Sequence, residues 1–265
     1  MKNKLTILAF GATLMAAVTT QARGDDKAIP VTPDNFIRAE TDLYFGGVVK
    51  KDGFGKFEHN RQALPIDDQT VIRTNRDTLY SGAVFDLEAG PVTITLPSNG
   101  QRFISMQVID EDEYTPHVFY GGGTRMLTRE AIGTRYVLAA LRVFVNPTDA
   151  TDVATVHALQ DAVNVEQPGG PGEFEVPKFD AASQKKVREA LLSLAATLPN
   201  SKGMFGPRGS VDPVRRLMGA ASAWGGNPEK FYPPQSWADI PGFPHARDKL
   251  WGLGGYLLHC SNSGA

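Results

Sequence analysis

Two short polar segments of this 265-residue chain contain residue types that could carry chemistry. The first begins at Asn75 and places Arg76, Asp77 and Tyr80 at the start of a predicted strand. A guanidinium offers a planar fork of donors and a carboxylate is a fixed acceptor, so this segment suits a carboxylate or hydroxylated ligand. The structural alternative, which the pattern favours, is a turn in which Arg76 and Asp77 pair and hold the start of the strand.

The second segment is a run of four acids after another predicted strand: Asp110, Glu111, Asp112 and Glu113. Several carboxylate oxygens together suit Ca²⁺. However, neighbouring strand residues face opposite ways, and no glycine organises a coordinating loop. The sequence therefore predicts a solvated acidic turn here and no metal site.

Other catalytic and cofactor motifs are missing from the sequence. No serine lies in a Gly-x-Ser-x-Gly elbow, and the five histidines show no zinc-ligand spacing. There is no Gly-x-x-x-x-Gly-Lys loop and no Gly-x-Gly-x-x-Gly after a strand. We therefore expect neither a metal nor another cofactor, and the residues leave open whether the protein is an enzyme.

The composition is that of a soluble globular protein, with 42% hydrophobic and 21% charged residues. A net charge of −2 gives no electrostatic footprint for nucleic acid or for an anionic membrane. The single cysteine, Cys260, excludes an intrachain disulfide framework. The partners that remain are a small-molecule ligand or further copies of the same chain.

The N-terminus predicts export. Lys2 and Lys4 precede an apolar run from Leu5 to Val18, and small residues follow at Thr20 and Ala22. This is the pattern of a secretory signal peptide over residues 1–22. No later segment supplies the ~20 apolar residues of a membrane span. We expect a periplasmic or secreted protein with no integral membrane segment after cleavage.

The elements that must position the polar segments fall into two groups. A helix is predicted to open at Thr32-Pro33-Asp34 and to end at Gly46-Gly47. Strands follow, with Asn99-Gly100 as a hairpin signal between two of them. The predicted strands are Ala83–Leu87, Val92–Leu96, Arg102–Val108 and Tyr136–Val145. Short strands without intervening helices predict an antiparallel β-sandwich over residues 32–147.

The rest of the chain is predicted to be mostly helical. Residues 148–228 are predicted to form a small helical module. Its helices are expected at 151–163 and 180–198, and a third starts at Asp212-Pro213. The Pro- and Gly-rich residues 168–172 indicate a linker. Residues 229–265 form an atypical tail rich in Trp and Pro, without an amphipathic period. Either the tail packs its aromatic residues on the sandwich, or it is not the ancestral ending of the gene, as after a truncation or frameshift.

One longer stretch resembles a known family. Asn-Arg-Asp-Thr-Leu-Tyr-Ser at 75–81 is followed by Asp86-Leu87, Gly90-Pro91 and Met106-Gln-Val-Ile-Asp110. This pattern resembles the bacterial exported family catalogued as domain of unknown function 1254. The resemblance implies an α+β protein with an immunoglobulin-like antiparallel β-sandwich followed by a helical region. Members of that family usually continue into a second β-domain, the domain of unknown function 1214, and we expect this chain to lack it. It supplies no catalytic residues.

Two functional hypotheses remain, beside a third and less favoured one, that the chain is a truncated product without function. The first is a non-catalytic, exported envelope protein that binds a ligand or partner, or self-assembles, through its sandwich. The alternative is an extracytoplasmic hydrolase or lyase acting on a small organic substrate. In that case Asp77 or Asp110 would be the general base, oriented by Arg76 and Tyr80.

Overall fold

A computed structural model describes residues 28–63 and 76–223 of the chain. The predicted signal peptide at 1–22, Asn75 and the predicted tail at 229–265 lie outside the described residues. Within the described ranges, no helix is both long enough and apolar enough to cross a membrane.

The described chain combines helices with short and medium strands. Along the sequence the elements are α1 (Phe36–Lys50), β1 (Glu58–His59), β2 (Thr78–Asp86), β3 (Val92–Leu96), β4 (Ile104–Asp110), β5 (His117–Tyr120), β6 (Gly123–Leu127), α2 (Arg129–Ile132), β7 (Tyr136–Phe144), α3 (Ala150–Asp161), β8 (Asn164–Glu166), α4 (Ala181–Ala195) and α5 (Pro213–Ala223).

The strands form two antiparallel sheets. One has the order β1-β2-β7-β4-β5 and the other β6-β3-β8. In the larger sheet, β2 and β7 pair over nine residues, from Thr78 opposite Phe144 to Asp86 opposite Tyr136. Every residue of β4, which also pairs with β7, is buried. A strand buried on both faces needs a cover on each side of its sheet.

The two covers are different in kind. On one side, Ile94 of β3 and Leu127 of β6 share a hydrophobic cluster with residues of the larger sheet such as Met106. On the other side, Phe45 of α1 packs against Val84 and Leu138. The larger sheet therefore lies between the smaller sheet and α1, which confirms the predicted α+β class.

A third hydrophobic cluster joins the helices. Phe36 of α1, Leu191 of α4 and Met218 of α5 belong to it. The cluster brings the start of the described chain against its end. The range predicted as a helical module also contains β8, which pairs with β3, and Val156 of α3, which lies in the core shared by the sheets.

The predicted hairpin around Asn99-Gly100 is wrong. The turn forms, with Gly100 at a φ of 55° and the Asn99 carbonyl accepting from the Arg102 N–H at 2.9 Å. However, β3 pairs with β6 and β8, whereas β4 pairs with β5 and β7. The turn carries the chain from one sheet to the other. A turn signal is local, but strand pairing depends on which residues must face the shared core.

The limits of α1 also differ from the prediction. The helix starts after Asn35 rather than at Thr32, and the Asn35 Oδ1 accepts from the Thr32 N–H at 2.8 Å. It continues through Gly46-Gly47 to Lys50. Packing of the last helical turns against the larger sheet outweighs the low helix propensity of two glycines. At the other end of the chain, Asp212 caps α5 as predicted, with its Oδ1 accepting from the Arg215 N–H at 2.8 Å.

Candidate functional site

The first polar segment lies at the beginning of β2. The side chains of Arg76 and Asp77 are exposed, and the Asp77 carbonyl accepts from the Val145 N–H at 2.8 Å. Tyr80 is half-buried, with the Arg142 guanidinium 5.4 Å from its ring centre. The pairing of Arg76 with Asp77 that the sequence pattern favours stays a prediction, and such a pair would lie at the surface. A ligand-binding role for Arg76, Asp77 and Tyr80 stays a prediction, and Asn75 lies outside the described residues.

The second polar segment is not the solvated turn that the sequence predicts. Asp110 is 1% exposed and Glu111 is 4% exposed, while Asp112 and Glu113 are half-buried. The difference has a physical cause: arginines from α1 and from the segment around Arg208 cover the turn. We call the four acids Asp110–Glu113, with the arginines that contact them, the acidic cluster.

Arg38 of α1 binds two of the acids. Its Nη1 lies 2.6 Å from Glu111 Oε1, and its Nη2 donates to Asp112 Oδ1 at 2.7 Å. The other Glu111 oxygen, Oε2, accepts from the buried Tyr136 N–H at 2.8 Å. Glu111 therefore joins the N-terminal helix to the first residue of β7. Charge-assisted bonds of this kind are stronger than neutral ones.

Arg208, between α4 and α5, binds a second pair of acids. Its Nη2 donates to Asp110 Oδ2 at 2.7 Å and its Nη1 to Asp112 Oδ2 at 2.9 Å. Asp110 Oδ1 accepts from the Tyr114 N–H at 2.8 Å. Burial raises the pKa of Asp110 despite these contacts. Burial acts on Asp112 as well, but the bonds from Arg208 and Arg38 outweigh it and lower the pKa of that carboxyl.

Tyr114 is in contact with two guanidinium groups. Arg216 of α5 lies 3.8 Å from its ring centre and Arg208 lies 4.3 Å from it. Arg216 also donates from Nη2 to the Asp112 carbonyl. Arginine favours the face of an aromatic ring because the ring quadrupole attracts its charge. The contacts hold α5 against the acidic cluster.

Asp42 of α1 is the unusual group beside the cluster. It is 4% exposed, and among the residues that the structure describes neither of its carboxyl oxygens has a hydrogen-bond partner. Burial and the nearby charge of Glu111 raise the pKa of Asp42 to about 7, and the charge of Arg38 opposes them only in part. The Asp42 carboxyl therefore binds and releases its proton near neutral pH, where an ordinary aspartate is fully ionised.

A pocket of about 350 Å³ opens between the acidic cluster and the segment from Met204 to Arg216. Asp110, Glu113, Tyr114, Arg208 and Arg216 supply its polar and aromatic surface. Its apolar walls include Ile132, Met204, Phe205, Val211 and Ala220. Binding pockets for small molecules begin at about this volume and combine apolar walls with a few placed polar groups. In the described ranges, no three His, Cys, Asp or Glu side chains are grouped to hold a metal ion.

The pocket joins only one of the two predicted polar segments. Asp110 and Glu113 line it, whereas Arg76, Asp77 and Tyr80 do not. Four charged residues at this site were not predicted from the sequence: Arg38, Asp42, Arg208 and Arg216. The i, i+4 spacing of Arg38 and Asp42 on one helix was a weak signal for the first two. Nothing near Arg208 or Arg216 in the sequence points to acids about a hundred residues away.

Comparison with known proteins finds a similar fold and a family match over part of the chain. The crystal structure of the VPA0106 protein from Vibrio parahaemolyticus is similar, with a TM-score of 0.53 and 15% sequence identity. The match covers 71% of this chain and 64% of the Vibrio chain, so this chain spans less than two thirds of that protein. The likeness extends to the fold alone.

No curated protein matches the sequence. Residues 54–167 match the family described as Protein of unknown function (DUF1254). The match begins before β1 and ends just after β8, so it includes the strands of both sheets and the acidic turn. It confirms the family indicated by the motif at 75–81 and the residues that follow it. Over residues 54–167 the chain is therefore similar to the DUF1254 family.

Proposed function

We propose that this protein binds a small organic molecule in the pocket beside the acidic cluster and does not convert it. The proposal is carried by the composition of the pocket. Its lining combines charged side chains, Asp110 and Glu113 of the turn and Arg216 of α5, with apolar walls. Polar groups placed on a largely apolar concave surface orient a ligand, while the walls bury its body.

The state of the polar groups favours binding over catalysis. Both oxygens of Asp110 are engaged, one by the Tyr114 N–H and one by Arg208. Arg208 is itself bound by two carboxylates. The residues that line the pocket include no serine, cysteine or histidine. The Thr115 hydroxyl, which also lines the pocket, accepts a hydrogen bond from the Gln107 side-chain amide at 3.1 Å and so faces an amide donor rather than a general base there.

A thermal-shift experiment tests the proposal. The full chain is heated with phenylacetate, hexanoate, phenethylamine or 2-phenylacetamide, each over a wide concentration range. A compound that binds only the folded protein stabilises it by ~2.7 kcal/mol at 100 times its Kd. We expect a saturable rise in Tm with at least one compound, and no chemical change in that compound after prolonged incubation.

A pair of tryptophan variants localises the effect. Ala131 is exposed and lines the pocket, so Ala131→Trp should block the site without disturbing the core. Ala182 is exposed on α4 and does not line the pocket, so Ala182→Trp is the matched control. Ala131→Trp should abolish the shift and Ala182→Trp should keep it. No shift with any compound, or a shift that survives Ala131→Trp, contradicts the proposal.

A hydrolase or lyase is the second candidate, and one observation favours it. Asp110 lines the pocket, and burial raises the pKa of its carboxyl toward the range of a general base. Release of 4-nitrophenol from 4-nitrophenyl acetate and 4-nitrophenyl glycosides would test hydrolysis. Turnover that is lost in Asp110→Asn but kept in Ala182→Trp would replace the binding proposal with this one.

We also propose that the protein is exported, to the periplasm or beyond the cell. The support is the basic, apolar and small-residue pattern of residues 1–22. Fusion of residues 1–30 to a reporter that is active only outside the cytoplasm should give signal. Replacing Leu5 and Leu14 by Asp in the same fusion should remove it. A folded cellular protein that still begins at Met1 would contradict export.

The finer description of the fold is a proposal as well. We propose that the two sheets make an immunoglobulin-like sandwich. The support is their antiparallel pairing and the single hydrophobic cluster to which both contribute. The strand order of a crystal structure, compared with that of immunoglobulin domains, tests it. A different order of strand connections would leave only the α+β class.

A further inference from the structure

We propose that the ligand of the pocket is a small carboxylate with an apolar or aromatic body, bound through the guanidinium of Arg216. The inference rests on the proposed binding function and names the chemical class that the same pocket selects. It follows from the groups that the two arginines of the pocket, Arg208 and Arg216, contact within the protein.

The two arginines that line the pocket differ in what they bind. Arg208 donates to Asp110 and to Asp112, so its charge is already matched by two carboxylates. Arg216 donates to the Asp112 carbonyl and rests on the Tyr114 ring. Across residues 28–63 and 76–223, no carboxylate forms an ion pair with Arg216. Its guanidinium is the cation of this pocket whose charge no carboxylate matches.

The position of Arg216 suits a planar anion. A guanidinium has five N–H donors in a fixed fork, and one nitrogen of Arg216 is bonded to the Asp112 carbonyl. Contact with Tyr114 restricts the orientation of the group, so less entropy is lost when it binds. A carboxylate can accept two parallel bonds from such a fork.

The walls determine the rest of the ligand. Ile132, Met204 and Ala220 are buried, and with Val211 they give the pocket an apolar lining. A volume of about 350 Å³ suits a small body rather than a long chain. Glu113 also lines the pocket, so an organic amine is the competing class, and the test must separate the two.

The test compares three molecules of nearly equal shape and different charge. Phenylacetate, 2-phenylacetamide and phenethylamine are titrated into the full chain by calorimetry at neutral pH. We expect phenylacetate to bind about tenfold more tightly than either of the others, or better, because only it forms charge-assisted bonds to Arg216. Arg216→Lys, which keeps the charge but loses the fork, should weaken phenylacetate binding about tenfold.

Arg215 is the matched control. It precedes Arg216 on α5, does not line the pocket, and donates to the carbonyls of Asn200 and Lys202. Arg215→Lys should leave the Kd of phenylacetate within about twofold. Circular dichroism checks that both variants fold.

The outcomes separate this inference from the proposed function. If phenethylamine or 2-phenylacetamide binds as tightly as phenylacetate, and Ala131→Trp abolishes that binding, the pocket binds ligands but the carboxylate class is wrong. An unchanged Kd in folded Arg216→Lys also overturns the inference. If none of the three molecules binds, the inference fails, and the proposed function fails with it when hexanoate also gives no thermal shift.

Discussion

Two polar segments, each beside a strand, have opposite environments in this protein. Arg76 and Asp77 lie in solvent at the start of β2, whereas Asp110 and Glu111 lie almost fully buried at the end of β4. Both segments are polar and both adjoin a strand. The difference comes from the cover: α1 and the chain around Arg208 lie over the acidic turn and carry the arginines that bind it. Local polarity marks a candidate site, but distant elements decide what it can do.

The largest expected effect comes from removing a carboxylate of the buried acidic turn. Glu111→Ala removes an acceptor of Arg38 and leaves the buried Tyr136 N–H without its carboxylate. Removing one partner of a buried, hydrogen-bonded pair costs about 3–5 kcal/mol. We expect the free energy of unfolding in urea to fall by that amount at neutral pH.

An exposed glutamate supplies the control for Glu111→Ala. Glu189 on α4 is 65% exposed and lies 3.9 Å from Lys185. Glu189→Ala should cost less than about 0.5 kcal/mol, because exposed pairs of this kind contribute little. Equal losses in the two variants would mean that the acidic cluster is not buried in solution.

The second-largest effect is expected from Asp42→Asn, which should be more stable than the wild-type protein at alkaline pH. In the unfolded chain Asp42 ionises near its ordinary pKa of 3.8, but in the folded protein that pKa is about 7. The folded state therefore keeps a proton that the unfolded state has lost, and stability falls as pH rises from about 4 to 7. Asp42→Asn removes this loss and should stabilise the protein by about 2–4 kcal/mol at pH 8.

Urea unfolding of wild type and Asp42→Asn from pH 5 to 8 checks the direction. Above pH 5 the downward slope of stability with pH should be shallower in the variant. Asp52→Asn is the control, because Asp52 lies at the surface 2.5 Å from Lys56 and its positive φ is acceptable to asparagine. A destabilised Asp42→Asn at pH 8, beside an unaffected Asp52→Asn, would show that the Asp42 carboxylate has a favourable partner in solution.

A smaller loss is expected from the aromatic part of the cluster. Tyr114→Leu keeps an apolar side chain but removes the ring that Arg208 and Arg216 contact. Each contact of this type contributes about 0.5–1 kcal/mol, so we expect a loss of about 1–2 kcal/mol. Tyr120→Leu on β5 is the control, since Tyr120 is 50% exposed and packs edge-on to Phe103. A loss in Tyr120→Leu as large as that in Tyr114→Leu would contradict a specific role for the arginines.

The sequence predicted local features well and long-range ones poorly. Val92–Leu96 is a strand with the predicted limits, and Asp212 caps its helix as predicted. Both depend on residues within a few positions of each other. The hairpin at Asn99-Gly100 failed because strand pairing depends on the whole core. The acidic cluster was found as a polar run, but Arg38 and Arg208 reach it across 74 and about a hundred residues. No local pattern records such contacts.

The smallest expected effect comes from a substitution in the exposed segment at the start of β2. Asp77→Asn changes a side chain in solvent, so we expect a change below about 1 kcal/mol in the free energy of unfolding. Asp112→Asn is the paired test, because Asp112 accepts from both Arg38 and Arg208, and its substitution should cost more stability.

Any Tm shift produced by phenylacetate should persist in Asp77→Asn, since Asp77 does not line the pocket. A cost of several kcal/mol would mean that Asp77 is paired and buried in solution. Unchanged stability together with loss of the phenylacetate shift would instead place ligand binding at the start of β2, and the buried and exposed segments would exchange roles.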